Sequence, residues 1–117
     1  MNLDSAVFYT NALEPSIRFY RDILGFTVEY VQDDKFVSFI FPNGARLGIK
    51  KKVEDREVPG AQTVFISIHT GIEELYQSYK DKQLFIYKEL VVQEWGKNFS
   101  ILDPDNNKVQ FVEKSAA

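Results

Sequence analysis

The stretch EWGKNFSILDPDNNKVQFVE, residues 94–113, is organised around a single turn. Its centre, DPDNN, consists of residues that favour turns, because Pro fixes φ while Asn and Asp tolerate a left-handed backbone. Apolar and β-branched residues on either side predict strands at about 97–103 and 107–113. We therefore expect a strand, a tight turn and a returning strand that carries Gln110.

The segment before this hairpin predicts a strand, a helix and a further strand. The run QTVFISI at 62–68 is apolar and β-branched, which favours a strand. Thr70 and Glu73 have the spacing of a capping box and predict the start of a helix. A third strand is expected at about 85–93. The second half of the chain therefore has the order β-α-β-β-β.

The first half of the chain predicts the same order of elements. A strand at 5–10 leads to a helix that has Pro15 in its first turn and Gly25 just after its end. Three strands follow, and the last two are joined by Asn43-Gly44, a strong hairpin signal. Their expected ranges are 26–32, 35–41 and 45–51.

The repeated order predicts an internal duplication. We expect one domain over residues 1–117, with module 1 at about 1–52 and module 2 at about 61–117. Between them, residues 53–60 are charged and end in Pro-Gly, which is typical of a linker.

Composition excludes several classes of function. The absence of cysteine rules out disulfides, thiolate catalysis and zinc–cysteine sites, and it fits a cytoplasmic protein. No apolar run approaches the roughly 20 residues of a membrane span, and we expect no signal peptide. The net charge of −3 argues against nucleic acid, and the basic run at 50–52 is followed at once by acidic residues.

Three stretches in order carry a resemblance to a known family. They are SIRFYRDILGF (16–26), FPNGARLGI (41–49) and the stretch 94–113. The chain resembles the vicinal oxygen chelate superfamily, which contains glyoxalase I, extradiol dioxygenases, and fosfomycin and bleomycin resistance proteins. It departs from the family pattern at Asn106, where Gly is usual, but Asn also tolerates a positive φ.

The resemblance implies an α+β fold. Two tandem βαβββ modules would form a cup-shaped, curved mixed sheet with the helices outside and a ligand inside. It also implies a homodimer in which the partner completes the cups.

The resemblance further implies four metal-ligand positions, one on each of four strands. Carried over by motif, they fall at Ser5, Gly48, Thr63 and Gln110. None is His, Asp or Glu, so we expect no metal site of the family type and no cofactor. Strand alternation supports the placement, because the neighbours of these positions are apolar.

Seven residues are candidates for contact with a small molecule. They are Tyr9, Phe39, Arg46, Phe65, Phe99, Trp95 and Gln110. An aromatic lining suits a flat organic ligand, and Arg46 could bind a carboxylate or phosphate. Packing in the core or at a dimer interface is the alternative for Phe39, Phe65 and Phe99. Because the lining is neutral to basic, we expect a neutral or anionic ligand.

Three functions remain open from the sequence. The first is a metal-independent small-molecule-binding protein of the bleomycin-resistance type. The second is a lyase, isomerase or dioxygenase-like enzyme with a non-standard active site, in which Tyr9, His69 or Glu94 would act as a base. The third is a structural partner whose cup is filled by its own aromatic residues.

Overall fold

The computed structural model describes residue 1 and residues 4–115, and within them it contains eight strands and two helices. The strands are β1 (Ser5–Thr10), β2 (Thr27–Gln32), β3 (Phe36–Ile40), β4 (Arg46–Lys51), β5 (Thr63–Ser67), β6 (Ile86–Gln93), β7 (Gly96–Leu102) and β8 (Lys108–Lys114). Helix α1 (Leu13–Ile17) continues as a π-helical segment over Arg18–Ile23, and helix α2 spans Ile72–Asp81. No helix among the described residues is long and apolar enough to cross a membrane.

The strands form two four-stranded mixed sheets with the same topology. Sheet 1 has the order β1-β4-β3-β2, and sheet 2 has the order β5-β8-β7-β6. In each, the first strand of the module pairs in parallel with the last, and the other pairs are antiparallel. The prediction of an α+β fold built from two βαβββ modules is confirmed.

Residues that tolerate a positive φ end the helix and form the turns where the sequence predicts them. Gly25 has φ +79° after the first helix, and Phe26 N–H donates to Tyr20 O at 2.8 Å, as in a Schellman-type ending. Gly44 has φ +85° in the β3–β4 hairpin. Asn106 has φ +67°, so Asn does serve here in place of Gly.

Aromatic side chains fill the space between each helix and its sheet. In module 1 the ring of Tyr20 is fully buried and lies 5.6 Å from Phe26 and 5.7 Å from Phe39, between ring centroids. In module 2 the ring of Phe99 lies 5.1 Å from both Tyr76 and Phe111. Each module therefore has its own apolar core. Burial of apolar side chains is the dominant favourable contribution to folding.

Helix α2 begins differently from the prediction. Its N-cap is Gly71, with φ +87°, and no side chain caps it, so the capping box at Thr70 is wrong. The backbone N–H of Ile72 instead donates to Glu113 Oε1 at 3.2 Å. Glu73 accepts a hydrogen bond from Lys97 Nζ at 2.8 Å. The Glu113 side chain of β8 therefore takes the place of the expected local cap.

The chain divides into two compact units. Unit 1 runs to Gln62 and also includes Pro104–Asn107, while unit 2 comprises Thr63–Asp103 and the chain from Lys108. The turn residues Pro104–Asn107 thus belong to unit 1, although Asp103 and the strands β7 and β8 on either side belong to unit 2. That the two units make one domain remains a prediction.

Within unit 1 the turn residues Pro104–Asn107 are held by the end of β1. The Asp105 carboxylate accepts hydrogen bonds from the Thr10 hydroxyl, from Asn11 N–H at 3.1 Å and from the Ser16 hydroxyl at 3.3 Å. Asn107 Nδ2 donates to the carbonyl of residue 9 at 3.1 Å, and its Oδ1 accepts from the N–H of residue 60 at 2.9 Å. We call this arrangement the Asp105 clasp. The hydrogen bonds of the Asp105 clasp give Asp105 and Asn107 a structural role.

Candidate functional site

Each sheet has one face packed against its helix and one face turned away from it. In β4, Leu47 and Ile49 are buried, and in β8, Val109 and Phe111 are buried, as strand alternation predicts. Residues of the opposite parity form what we call the open face of each sheet. The open face of sheet 1 contains Ser5, Val7, Tyr9, Phe36, Ser38, Ile40, Arg46, Gly48 and Lys50. The open face of sheet 2 contains Thr63, Phe65, Ser67, Lys88, Val91, Asn98, Ser100, Leu102, Lys108, Gln110 and Val112.

The four positions implied for a metal lie on these open faces, but their residues do not fit a metal. Ser5 and Gly48 belong to sheet 1, and Thr63 and Gln110 to sheet 2. A Cβ on Gly48 would stand 2.6 Å from Cζ of Phe36, so an aromatic ring covers the place of a ligand side chain. Among residues 1 and 4–115 there is no group of three or more His, Cys, Asp or Glu that could hold a metal ion.

Arg46 is engaged by carboxylates of its own module. Its Nε donates to both oxygens of Glu29 at 2.9 Å, and its NH1 nitrogen lies 3.3 Å from Asp4 Oδ1. The hydrogen bond from Ser38, at 2.8 Å, and that from Arg46 hold the pKa of Glu29 below its usual range. The same hydrogen bond with Glu29 raises the pKa of Arg46. A ligand carboxylate would have to displace Glu29 to use this guanidinium.

The other cation on the open face of sheet 1 is also paired. Lys50 Nζ forms an ion pair with Glu57 and lies 5.9 Å from the ring centroid of Tyr9. Glu57 is only 6% exposed and also accepts hydrogen bonds from the N–H groups of Val53, at 2.8 Å, and Glu54, at 3.1 Å. These bonds, first of all the one from Lys50, lower the pKa of Glu57 to about 2. The linker is therefore anchored at Glu57.

The open face of sheet 2 differs in charge. Lys108 Nζ lies 4.2 Å from the ring centroid of Tyr87, and no described carboxylate lies within 4.0 Å of it. Phe65 is 66% exposed and is paired in register with Gln110. Gln110 Nε2 donates to Oδ1 of the fully buried Asn98 at 3.3 Å. This face combines an unpaired cation, exposed rings and amide groups.

The structure separates the other sequence candidates from these faces. Phe39 and Phe99 have no exposed surface and pack against the helix side of their sheets. Trp95 is half exposed in the turn between β6 and β7. His69 is exposed and follows the end of β5. Tyr9, Arg46, Phe65 and Gln110 do lie on open faces, two on each sheet.

Sequence reasoning missed Glu57 and Asp105. Glu57 stands among Glu54, Asp55 and Arg56 in the linker, and nothing in that run distinguishes it from its neighbours. The turn motif predicts that Asp105 lies in a turn, but it does not predict its hydrogen-bond partners. Those partners, Thr10 and Ser16, are about 90 residues away in sequence. Contacts of that separation leave no periodic signal.

A depression of about 500 Å³ lies elsewhere on unit 1, between the start of α1 and the β2–β3 turn. Its lining includes Leu13, Pro15, Asp33 and Lys51. None of the residues predicted to contact a ligand lines it, so it does not add to the candidate site.

A family model identifies the family of this chain, and solved structures share its fold. The model of the Glyoxalase/Bleomycin resistance protein/Dioxygenase superfamily matches residues 2–111. No curated protein sequence matches the chain significantly.

Three solved structures illustrate the similarity. A virulence protein from Salmonella typhimurium is 19% identical, with 98% of each chain covered and a TM-score of 0.76. A lactoylglutathione lyase from Agrobacterium tumefaciens is 15% identical, covering 96% of this chain and 92% of its own, with a TM-score of 0.79. A glyoxalase/dioxygenase from Nostoc punctiforme is 16% identical, covering 97% and 91%, with a TM-score of 0.80. At these identities the likeness establishes the fold alone.

Proposed function

The chain belongs to the Glyoxalase/Bleomycin resistance protein/Dioxygenase superfamily, and we propose that it acts there as a metal-independent small-molecule-binding protein. The observation that carries the proposal is the contact between Phe36 and Gly48. Where the family pattern expects a metal ligand on β4, this chain has no side chain, and an aromatic ring covers the space. Ser5, Thr63 and Gln110 supply only hydroxyl and amide oxygens, which are weak ligands for a divalent ion.

Each open face by itself offers groups suited to binding an organic molecule without a metal. On sheet 2, Phe65 offers an exposed ring and Gln110 offers an amide, and on sheet 1, Tyr9 offers an aromatic ring and a hydroxyl. A few polar groups among aromatic side chains are typical of small-molecule sites. On the open face of sheet 1, Arg46 is available to a ligand only if Glu29 moves aside, and the buried Phe39 and Phe99 contribute packing within their own modules.

We further infer a homodimer that holds the ligand, and a cytoplasmic location. The dimer follows from the resemblance to bleomycin resistance proteins. The location is supported by a sequence without cysteine.

A ligand screen on metal-free protein tests the proposal. The protein would be dialysed against EDTA and mixed with a library of neutral and anionic small molecules, with binding detected by saturation-transfer NMR. Phe65→Ala should weaken the binding of any hit. Val53→Ala is the control, because Val53 is also an exposed apolar residue but lies in the linker, outside both sheets. Hits that need an added divalent ion, or that are converted to product, would contradict the proposal and favour an enzyme.

A further inference from the structure

The two open faces carry the same number of cations but differ in what neutralises them. On sheet 1, Arg46 pairs with Glu29 and Asp4, and Lys50 pairs with Glu57. These three carboxylates come from the chain itself. The open face of sheet 1 is therefore internally neutralised.

In the part of the chain that the structure describes, the open face of sheet 2 has two lysines and no carboxylate within ion-pair distance of either. Lys108 rests over the ring of Tyr87, and Lys88 is exposed and paired in register with Ser100. Neither lysine has a described Asp or Glu within 4.0 Å. Among the described residues, no Asp or Glu occupies the open-face positions that are paired in register on β5, β7 and β8. This face therefore carries positive charge that a ligand could neutralise.

Aromatic and amide groups surround Lys108 in a fixed register. Thr63 is paired with Lys108, and Phe65 is paired with Gln110 on the neighbouring strand. Lys108 and Gln110 are two residues apart on β8 and share one face, about 7 Å apart along the strand. These four side chains form a two-by-two patch, which we call the Lys108 patch. An aromatic ring with one carboxylate is long enough to reach from Phe65 to Lys108.

We propose that the Lys108 patch binds the carboxylate of a small planar organic acid, with the ring of the acid against Phe65. This rests on the proposed function and assigns its ligand class. An ammonium group and a carboxylate form a charge-assisted hydrogen bond, about twice as strong as a neutral one. The Tyr87 ring attracts the Lys108 ammonium electrostatically but accepts no conventional hydrogen bond from it. The N–H groups of Lys108 can therefore donate to a ligand. The proposal thus assigns to Lys108 the anion-binding role that the sequence suggested for Arg46.

Benzoate, benzamide and benzylammonium are suitable probes, because they share a ring and differ in charge. We expect benzoate to shift the backbone amide NMR signals of residues 63–65 and 108–110, with about tenfold tighter binding than benzamide. Benzylammonium should bind more weakly than benzamide. Benzoate shifts confined to the Arg46 side of module 1, or no shifts at all, would overturn the proposal.

Substitutions separate the charge of Lys108 from the general charge of the protein. Lys108→Gln should remove the tenfold preference for benzoate over benzamide. Lys80→Gln is the matched control, because Lys80 also lies over a tyrosine ring, at 5.2 Å from Tyr76, but on helix α2. It should keep the preference.

The two proposals fail in different ways. Equal binding of benzoate and benzamide at the Lys108 patch would overturn the assignment of an acid while leaving small-molecule binding intact. An unchanged preference in Lys108→Gln would do the same. Failure of the whole library to bind metal-free protein would instead remove the proposed function itself.

Discussion

The ring of Phe36 lies against the backbone of Gly48, with Cζ 2.6 Å from the place of a Gly48 Cβ. The two residues are on neighbouring strands of sheet 1, and Val7 Cγ2 stands 3.4 Å from the same place. Glycine at this position therefore permits the aromatic contact and at the same time removes the metal ligand that the family pattern expects there.

The first prediction is that Gly48→Ala destabilises the protein by about 1 kcal/mol, because the added methyl group forces the Phe36 ring to move. Phe36→Leu shortens the side chain that meets the methyl group. The double variant should therefore lose less stability than the sum of the two single variants. Urea unfolding of the wild type, the two single variants and the double variant measures this coupling. If the two losses of stability simply add, the position of the Phe36 ring does not depend on Gly48.

The second prediction concerns Gly60, which has φ +86° and would place a Cβ 2.6 Å from the carbonyl oxygen of Asp105. Gly60→Ala adds a backbone clash to the cost of a left-handed alanine, which is about 1–2 kcal/mol. Gly44 is the matched control, with φ +85° and nothing within 4 Å of its Cβ position. Thermal unfolding should show a larger loss of stability for Gly60→Ala than for Gly44→Ala. Equal losses would mean that the turn moves away from Gly60 without cost.

The third prediction is that Asp105→Ala lowers the free energy of unfolding by about 1–3 kcal/mol, because it leaves donors of the Asp105 clasp without their acceptor. Thr10 and Ser16 are buried, so water cannot replace the carboxylate freely. Asp55→Ala, in the exposed linker, should change stability by less than about 0.5 kcal/mol. Similar effects for the two variants in denaturant unfolding would contradict a structural role for the clasp.

The fourth prediction is a pH dependence that belongs to Glu57. Its pKa in the folded protein is about 2, below the ordinary value of 4.5, so its ionised form favours folding. The stabilisation is fully present above about pH 4.5 and is lost as pH falls towards 2. The stability difference between the wild type and Glu57→Gln should therefore shrink across this interval.

Urea unfolding between pH 2.5 and pH 7, a range chosen to span that interval, would measure the effect. Glu89→Gln, on exposed strand β6, is the control and should show no comparable change. A difference between the wild type and Glu57→Gln that stays constant over the whole range would contradict the role of Glu57 as an anchor.

Much of the fold follows from local signals in the sequence. The strand ranges agree with the structure to within one or two residues, because each strand is a short apolar or β-branched run bounded by turn residues. Gly25 and Asn106 adopt the positive φ angles that their positions require. Alternation along β4 and β8 separates the helix side from the open face correctly.

The features that the sequence does not predict are contacts between side chains that are far apart along the chain. The start of α2 is satisfied by Glu113 from β8 and not by Thr70, which a local motif cannot anticipate. The charge of Arg46 is visible in the sequence, but its neutralisation by Glu29 depends on the register of β2, β3 and β4. Tyr9, Arg46, Phe65 and Gln110 can therefore be assigned to a face from sequence, whereas the ion pair that neutralises Arg46 cannot.

Native mass spectrometry of freshly purified protein, under gentle and then denaturing conditions, tests the central claim most directly. It reports the subunit count, any bound metal and any co-purified small molecule in one experiment. Metal-independent binding predicts a dimer without metal, and an organic adduct that leaves on denaturation. A stoichiometric divalent ion retained under gentle conditions would contradict the claim and make a metal-dependent enzyme the better account.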